Sequence, residues 1–67
     1  MEIFAKRLKV LRKEKQLTQK QVADMLKIRQ QSYVRYELGT GEPSLDTLVL
    51  LCKILETNSD YLLGIEE

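Results

Sequence analysis

Apolar residues in the first fifteen positions fall at Phe4, Leu8 and Leu11, a spacing of i, i+4 and i+7 that lines one face of a helix. Lys6, Arg7, Lys9 and Lys13 lie off that stripe, and Val10 is an apolar residue that the stripe leaves in solvent. A second helix starts at Thr18. Thr18-Gln19-Lys20-Gln21 is a capping box, in which the threonine oxygen accepts from the Gln21 amide and the glutamine side chain reaches back to the Thr18 amide. Leu17 before the cap and Val22 after it make a hydrophobic staple. This short helix turns Val22, Ala23 and Leu26 inward, and only a tight turn fits between Leu26 and Gln30. The third helix runs to Leu38 with Tyr33, Tyr36 and Glu37 on one side, and Gly39 suits the left-handed position that ends it. After a loop at Thr40-Gly41-Glu42-Pro43, Ser44 is a natural N-cap for a fourth helix from Leu45 to Leu55. Asn58 caps a fifth, Ser59 to Leu63, which Gly64 stops. Nothing alternates like a strand, and there is no repeat or low-complexity segment. The pattern predicts an all-α fold of five helices, read as a single domain over residues 1–67.

The fourth helix is apolar on both sides, and such a helix must bury both. Leu45, Leu48, Cys52 and Leu55 form one stripe, with Leu51 beside it, and are assigned to the core. Leu50 and Ile54 lie nearly opposite. Together with the tail around Leu62, Leu63 and Ile65 they are assigned to a two-fold contact between copies, since a C2 interface uses one patch twice. Packing beneath the fifth helix is the alternative.

Charge changes the picture more than composition does. The chain has 67 residues, 43% of them apolar and 31% charged, which suits one small globular domain. Met1 to Tyr36 hold ten Lys/Arg against three acids, whereas Glu37 to Glu67 hold one base against seven acids, so a net charge of +1 conceals a basic half and an acidic half. That asymmetry suggests a polyanion on one side, with a solvated charged surface as the alternative. One cysteine and no histidine exclude an intrachain disulfide and argue against a zinc site. Cys52 reads as a small core residue with no histidine to activate it. There is no phosphate loop, metal cluster or activated nucleophile, so the chain reads as a non-enzyme without cofactor or evident small-molecule ligand. No signal-peptide pattern opens it, and its longest apolar run, Leu48 to Cys52, is far too short to span a bilayer, which together suggest a cytoplasmic protein without a membrane partner.

Two short helices joined by a tight turn, the second presenting polar side chains, suit the major groove of DNA. With Tyr33, Tyr36 and Glu37 inward, steps of about 100° leave Gln31, Val34, Arg35 and Leu38 outward and Gln30 at the flank. Glutamine matches adenine at N6 and N7, arginine matches guanine at O6 and N7, and Val34 suits a thymine methyl. Gln30, Gln31, Arg35 and Val34 are therefore the candidate base contacts. Ordinary exposed helix residues are the alternative, weakened by the agreement of the capping box, the tight turn and the basic half.

In "LTQKQVADML" (Leu17 to Leu26), "QQSYVRYELG" (Gln30 to Gly39), "PSLDTL" (Pro43 to Leu48) and "NSDYLLG" (Asn58 to Gly64), the chain resembles the helix-turn-helix domain of the lambdoid phage repressors and Cro proteins, from Phe4 to Leu63. The resemblance implies a five-helix, lambda-repressor-like fold with its helix-turn-helix at about 18–38. It implies a DNA-binding transcription regulator, usually a dimer on a palindromic operator in double-stranded DNA. By position, Gln30, Gln31 and Arg35 fall where family members read bases, and Thr18 and Gln19 where they touch phosphate. Lys27, Arg29 and Thr40 are added as phosphate candidates, with the loop amides from Thr40 to Glu42. Two departures stand out. Lys27 occupies a turn position often held by glycine, and Arg29 a cap position often held by Ser or Thr, each at a cost of roughly 1 kcal/mol. Both add positive charge beside the groove.

Glu37, facing inward, needs a partner, because an isolated buried carboxylate is very costly. Arg12, at the end of the first helix, is the expected one, and the pair reads as a structural link between the first and third helices. An exposed Glu37 in a last helical turn is the alternative, disfavoured by the helix dipole. The leading expectation is a sequence-specific repressor acting as a homodimer. Rival readings are an antitoxin or restriction-modification controller built on the same domain, and a protein-interaction module that has lost DNA.

Overall fold

The computed structural model describes residues 2–65, and its helices are set largely by local signals. They are α1 (Glu2–Glu14), α2 (Gln19–Leu26), α3 (Gln30–Leu38), α4 (Leu45–Ile54) and α5 (Ser59–Leu63), with no strand among the described residues. The capping box of α2 is complete: the Gln21 amide donates to Thr18 Oγ1 at 3.0 Å and the Thr18 amide to Gln21 Oε1 at 2.7 Å. Ser44 accepts from the Thr47 amide at 3.2 Å and Asn58 from the Tyr61 amide at 2.8 Å, which caps α4 and α5. Arg29 caps α3 without any side-chain hydrogen bond. Gly39 and Gly64 end α3 and α5 with φ of 81° and 73°.

α3 is held from two sides, by α1 and by α2, while α4 packs against α2 and α5, and α5 returns to α1. The centre is formed by Phe4 and Leu8 of α1, Val22 and Leu26 of α2, Tyr33 and Tyr36 of α3, and Leu51, Leu55 and Leu62. The aromatic rings meet edge to face: Tyr33 and Tyr36 at 6.0 Å between centroids, Phe4 and Tyr36 at 6.5 Å. α5 is tied to α1 by Arg7, whose guanidinium lies 4.4 Å from the Tyr61 ring centre and donates to the Tyr61 carbonyl at 2.6 Å. Val10 is half exposed, as its place off the α1 stripe predicts, and Leu11 is only partly buried.

The inward face of α4 differs from the expected one. Leu51 and Leu55 are fully buried and Leu48, Cys52 and Ile54 pack partly against the core, but Leu45 is 80% exposed. The buried arc is centred on Leu51 rather than between Leu48 and Cys52. At about 100° per residue, that rotation carries Leu45 and Val49 outward and brings Ile54 inward. Packing against α2 and α5 sets the angle, which apolar content on every side of the helix leaves undetermined.

Three non-glycine residues adopt the left-handed conformation: Gln16, Lys27 and Glu56, with φ of 58°, 58° and 54°. Each closes a helix end. Lys27 N–H donates to the Asp24 carbonyl at 3.1 Å and the Ile28 amide to the Ala23 carbonyl at 3.0 Å, so the αL residue satisfies the last carbonyls of α2. Lys15 pairs with Glu56, joining two of these three turns. Left-handed backbone strains any residue with a Cβ. Lys27→Gly is therefore expected to raise stability by about 0.5–1 kcal/mol, after the extra unfolded-state freedom of glycine is deducted. Thermal denaturation should show a rise of roughly 2–8 °C, and an unchanged or lower midpoint would show that the turn is unstrained.

Candidate nucleic-acid interface

The turn between α2 and α3 has only three residues, Lys27, Ile28 and Arg29. Ile28 packs against the core and anchors the turn, leaving Lys27 and Arg29 exposed on either side of it. α3 then buries Tyr33 and Tyr36 and presents its other face to solvent. Gln30, Gln31, Val34, Arg35 and Leu38 together line one open concavity of about 480 Å³. Gln30, Gln31 and Arg35 are exposed, and Val34 is half-buried between them. Among the described residues no carboxylate pairs with Lys27, Arg29 or Arg35, whereas Lys20 pairs with Asp24 at 3.0 Å and Arg12 with Glu37. Positive charge is thus uncompensated where the polar face of α3 begins.

Behind this face lies a buried polar cluster that fixes α3. Arg12 Nε donates to Glu37 Oε2 at 2.6 Å and a second guanidinium nitrogen to Oε1 at 3.1 Å, a two-point fork between α1 and α3. The third guanidinium nitrogen donates to the Leu17 carbonyl at 2.8 Å, so the same arginine also fixes the strap leading into α2. The Gln19 side chain donates to Glu37 Oε1 at 3.2 Å. Helices α1, α2 and α3 therefore meet on one carboxylate, whose side chain is 3% exposed. Burial alone would raise the Glu37 pKa, but the bonds from Arg12 and Gln19, with the Tyr33 hydroxyl close by, outweigh it and hold the carboxyl below its ordinary value. The bond to Glu37 in turn raises Arg12. The Tyr33 phenol is pushed up, first by burial and then by the Glu37 carboxylate, although its hydroxyl meets no partner at good hydrogen-bond geometry. Tyr33 is thus neutral at physiological pH and acts as part of the core.

The candidate phosphate contacts occupy different situations. Thr18 is exposed; its oxygen accepts from Gln21, and its hydroxyl proton is left to donate. Gln19 is half-buried, with its amide nitrogen held by Glu37. Lys27, Arg29 and Thr40 are exposed. Two of the loop amides from Thr40 to Glu42 are already taken. Thr40 N–H and Gly41 N–H both donate to the Arg35 carbonyl, at 3.1 and 3.2 Å, because the carbonyls of the last turn of α3 have no partner within the helix. Of Thr40, the side-chain hydroxyl is what faces solvent.

Two residues of the site were not assigned from the sequence. A Cβ on Gly41 would sit 3.0 Å from the Arg35 Cβ, so the glycine lets the loop close directly over the base of the arginine. Leu38 is 69% exposed on the same concavity. The G-x-P-S run after α3 carried no hint of the first, whereas helical periodicity had already turned the second outward without giving it a role. The residues assigned to a two-fold contact divide: Leu50 and Ile65 are exposed, at 42% and 64%, while Ile54 and Leu63 pack partly against the chain's own core beside α5.

A family profile described as helix-turn-helix matches residues 8–62. The chain is 46% identical over 61 residues to the uncharacterized HTH-type transcriptional regulator YqaE of Bacillus subtilis (strain 168), covering 91% of this chain and 53% of that protein. It is 44% identical over 61 residues to the SPbeta prophage-derived uncharacterized HTH-type transcriptional regulator YonR of the same organism, covering 91% of this chain and 56% of that one. It is 34% identical over 70 residues to the cryptic phage CTXphi transcriptional repressor RstR of Vibrio cholerae, covering 97% and 63%. The chain spans about half the length of the first two of these relatives. No solved structure gives a significant match. The capped α2, the three-residue turn and the polar-faced α3 carry this profile, and the chain belongs to the helix-turn-helix family, in its Cro/C1 type.

Proposed function

We propose that this chain reads DNA sequence for a transcription regulator, a repressor that occupies a palindromic operator as a homodimer in the cytoplasm. The observation that carries the proposal is the outward face of α3. It gathers Gln30, Gln31 and Arg35 on one concavity, beside two cations, Lys27 and Arg29, that no carboxylate among the described residues neutralises. In this reading α3 lies in the major groove, Gln30 and Gln31 pair with adenine edges and Arg35 with a guanine. Val34 lies against a thymine methyl. Lys27, Arg29, Thr18, Gln19 and Thr40 face phosphates on the two sides of the groove and set the register, without sequence information of their own. The regulators named among its relatives, one of them a repressor, support the role. The proposed role is binding without chemistry. No helix among the described residues is long and apolar enough to cross a membrane.

Dimer formation is assigned to Leu50 and Ile65, the exposed members of the expected patch, with Ile54 and Leu63 forming its floor. Selection of bound sites from random duplexes tests the proposal. It should return a palindromic motif with half-sites about one DNA turn, or 34 Å, apart, and affinity for it should fall steeply with salt as counterions are released. Recovery of no enriched motif would overturn the reading. Leu50→Lys should sediment as a monomer and bind the full site more weakly than the parent, and an unchanged dimer would remove this face from the interface.

A further inference from the structure

Leu38 occupies the last turn of α3, 69% exposed, and belongs to no part of the core. The apolar contact that often accompanies a left-handed helix cap joins the residue after the glycine to the one four before the glycine, here the polar Thr40 and Arg35, and Gly39 completes the cap through backbone bonds, so the cap gives Leu38 no partner. No structural duty accounts for Leu38. Its angular position does suggest one. At about 100° per residue, seven residues carry the chain almost two full turns, so Leu38 lies within about 20° of Gln31 and roughly 10 Å further along the helix. Val34, one turn before it, is half-buried, and the two aliphatic side chains make a short apolar strip flanked by Gln31 and Arg35 on one concavity.

We propose that Leu38 is a further specificity-determining residue, and that it recognises the 5-methyl group of a thymine. The proposal rests on the reading of α3 as the helix that enters the major groove. Among the groups that base pairs display in that groove, the thymine methyl is the apolar one, and cytosine in its place offers an amino donor that leucine cannot satisfy. The roughly 10 Å between the two residues along the helix makes the thymine read by Leu38 a different one from the base pair met by Gln31. Arg35 lies between them along the helix, and the loop at Gly41 passes close to its Cβ. Contact with another protein is the competing use of an exposed leucine. The uncompensated positive charge along the same face favours the polyanion.

The test starts from the site that random-duplex selection returns. Each thymine is replaced in turn by uracil, which removes one methyl group and leaves every hydrogen-bonding group in place. Binding is measured for the parent and for Leu38→Ala, with far-UV circular dichroism confirming that the variant is folded. At one thymine per half-site, the parent should lose about fourfold in affinity, the value of one buried methyl-sized group. Leu38→Ala should bind the thymine site more weakly than the parent and show no further loss with uracil at that position, while still responding at any thymine that Val34 touches. Equal responses of parent and variant at every thymine would overturn the role of Leu38 and leave the DNA reading standing. Failure of selection to return any site would overturn both. Loss of self-association in Leu38→Ala, with unchanged discrimination between thymine and uracil, would assign the leucine to a protein contact instead.

Discussion

Arg12→Met is expected to destabilise the domain by about 3–5 kcal/mol at neutral pH, the range found when one partner of a buried ion pair is removed and the other is left behind. A chain of this size has roughly 3–10 kcal/mol of stability in all, so the variant should be largely or partly unfolded at 37 °C. The reason lies in what remains. Glu37 is 3% exposed at its side chain, and without Arg12 the Gln19 amide is the one donor left to it at hydrogen-bond distance among the described residues. Methionine replaces the length of the arginine stem, which limits any cavity contribution. Glu37→Ala should cost less than Arg12→Met, because the guanidinium retains the Leu17 carbonyl and a partly open edge.

The pH dependence separates this explanation from simple loss of packing. In the parent, Glu37 has a pKa held below its ordinary value of 4.5. A carboxyl whose folded pKa is depressed contributes stability that is fully present above the unfolded value and disappears as pH falls through the folded one. The parent therefore loses the contribution of the pair on acidification below about pH 4.5. In Arg12→Met, burial is no longer outweighed and the sign reverses. The folded pKa then lies above the unfolded value, and stability falls as pH rises through it. The stability gap between parent and variant should be widest near neutrality and should narrow toward pH 4. Chemical denaturation across that range measures it, and a gap independent of pH would mean that Glu37 carries no buried charge.

Gln30→Ala, Gln31→Ala and Arg35→Ala combined are expected to abolish sequence preference while leaving the fold intact. Each bidentate base contact contributes about 1–3 kcal/mol of discrimination. Arg35→Ala alone should therefore relax one base pair per half-site by about 5- to 150-fold, and the triple variant should bind operator and random duplex alike. All three side chains are exposed, and none contributes a side-chain hydrogen bond among those described, so the melting temperature should shift little. Residual binding should stay salt-dependent, since Lys27 and Arg29 are untouched. Retention of the parent's target choice by a folded triple variant would remove α3 as the reading element. Parallel measurements on Arg12→Met would show the opposite pattern, with stability lost and preference kept in the folded fraction, and thus separate the groups that read from the groups that hold.

The starts and stops of the helices were legible in the sequence, because a cap is a local event. Thr18 and Gln21 lie three residues apart, and their mutual bonds depend on little beyond them. The same holds for Ser44, Asn58, Gly39 and Gly64, and the observed bounds agree with those expected to within a residue or two. The outward set on α3 was legible for a related reason: two tyrosines and an inward glutamate leave one polar face, and helical periodicity does the rest. The strained turn at Lys27 was expected from the resemblance, whose turn often holds glycine there, but Gln16 and Glu56, which do the same at the ends of α1 and α4, were not.

Local signals along the chain thus fix the five helices, most of their caps and the side chains that α3 turns outward, since each depends on residues within a few positions of one another. Packing between helices settles which side of α4 is buried, brings Gln19 to join Arg12 on the Glu37 carboxylate, and sets Gly41 close to the Arg35 Cβ. The loop amides taken up by the Arg35 carbonyl belong with these. An all-round apolar helix has no preferred face until neighbours cover it, and a contact between two helices depends on their crossing, which no short-range signal encodes.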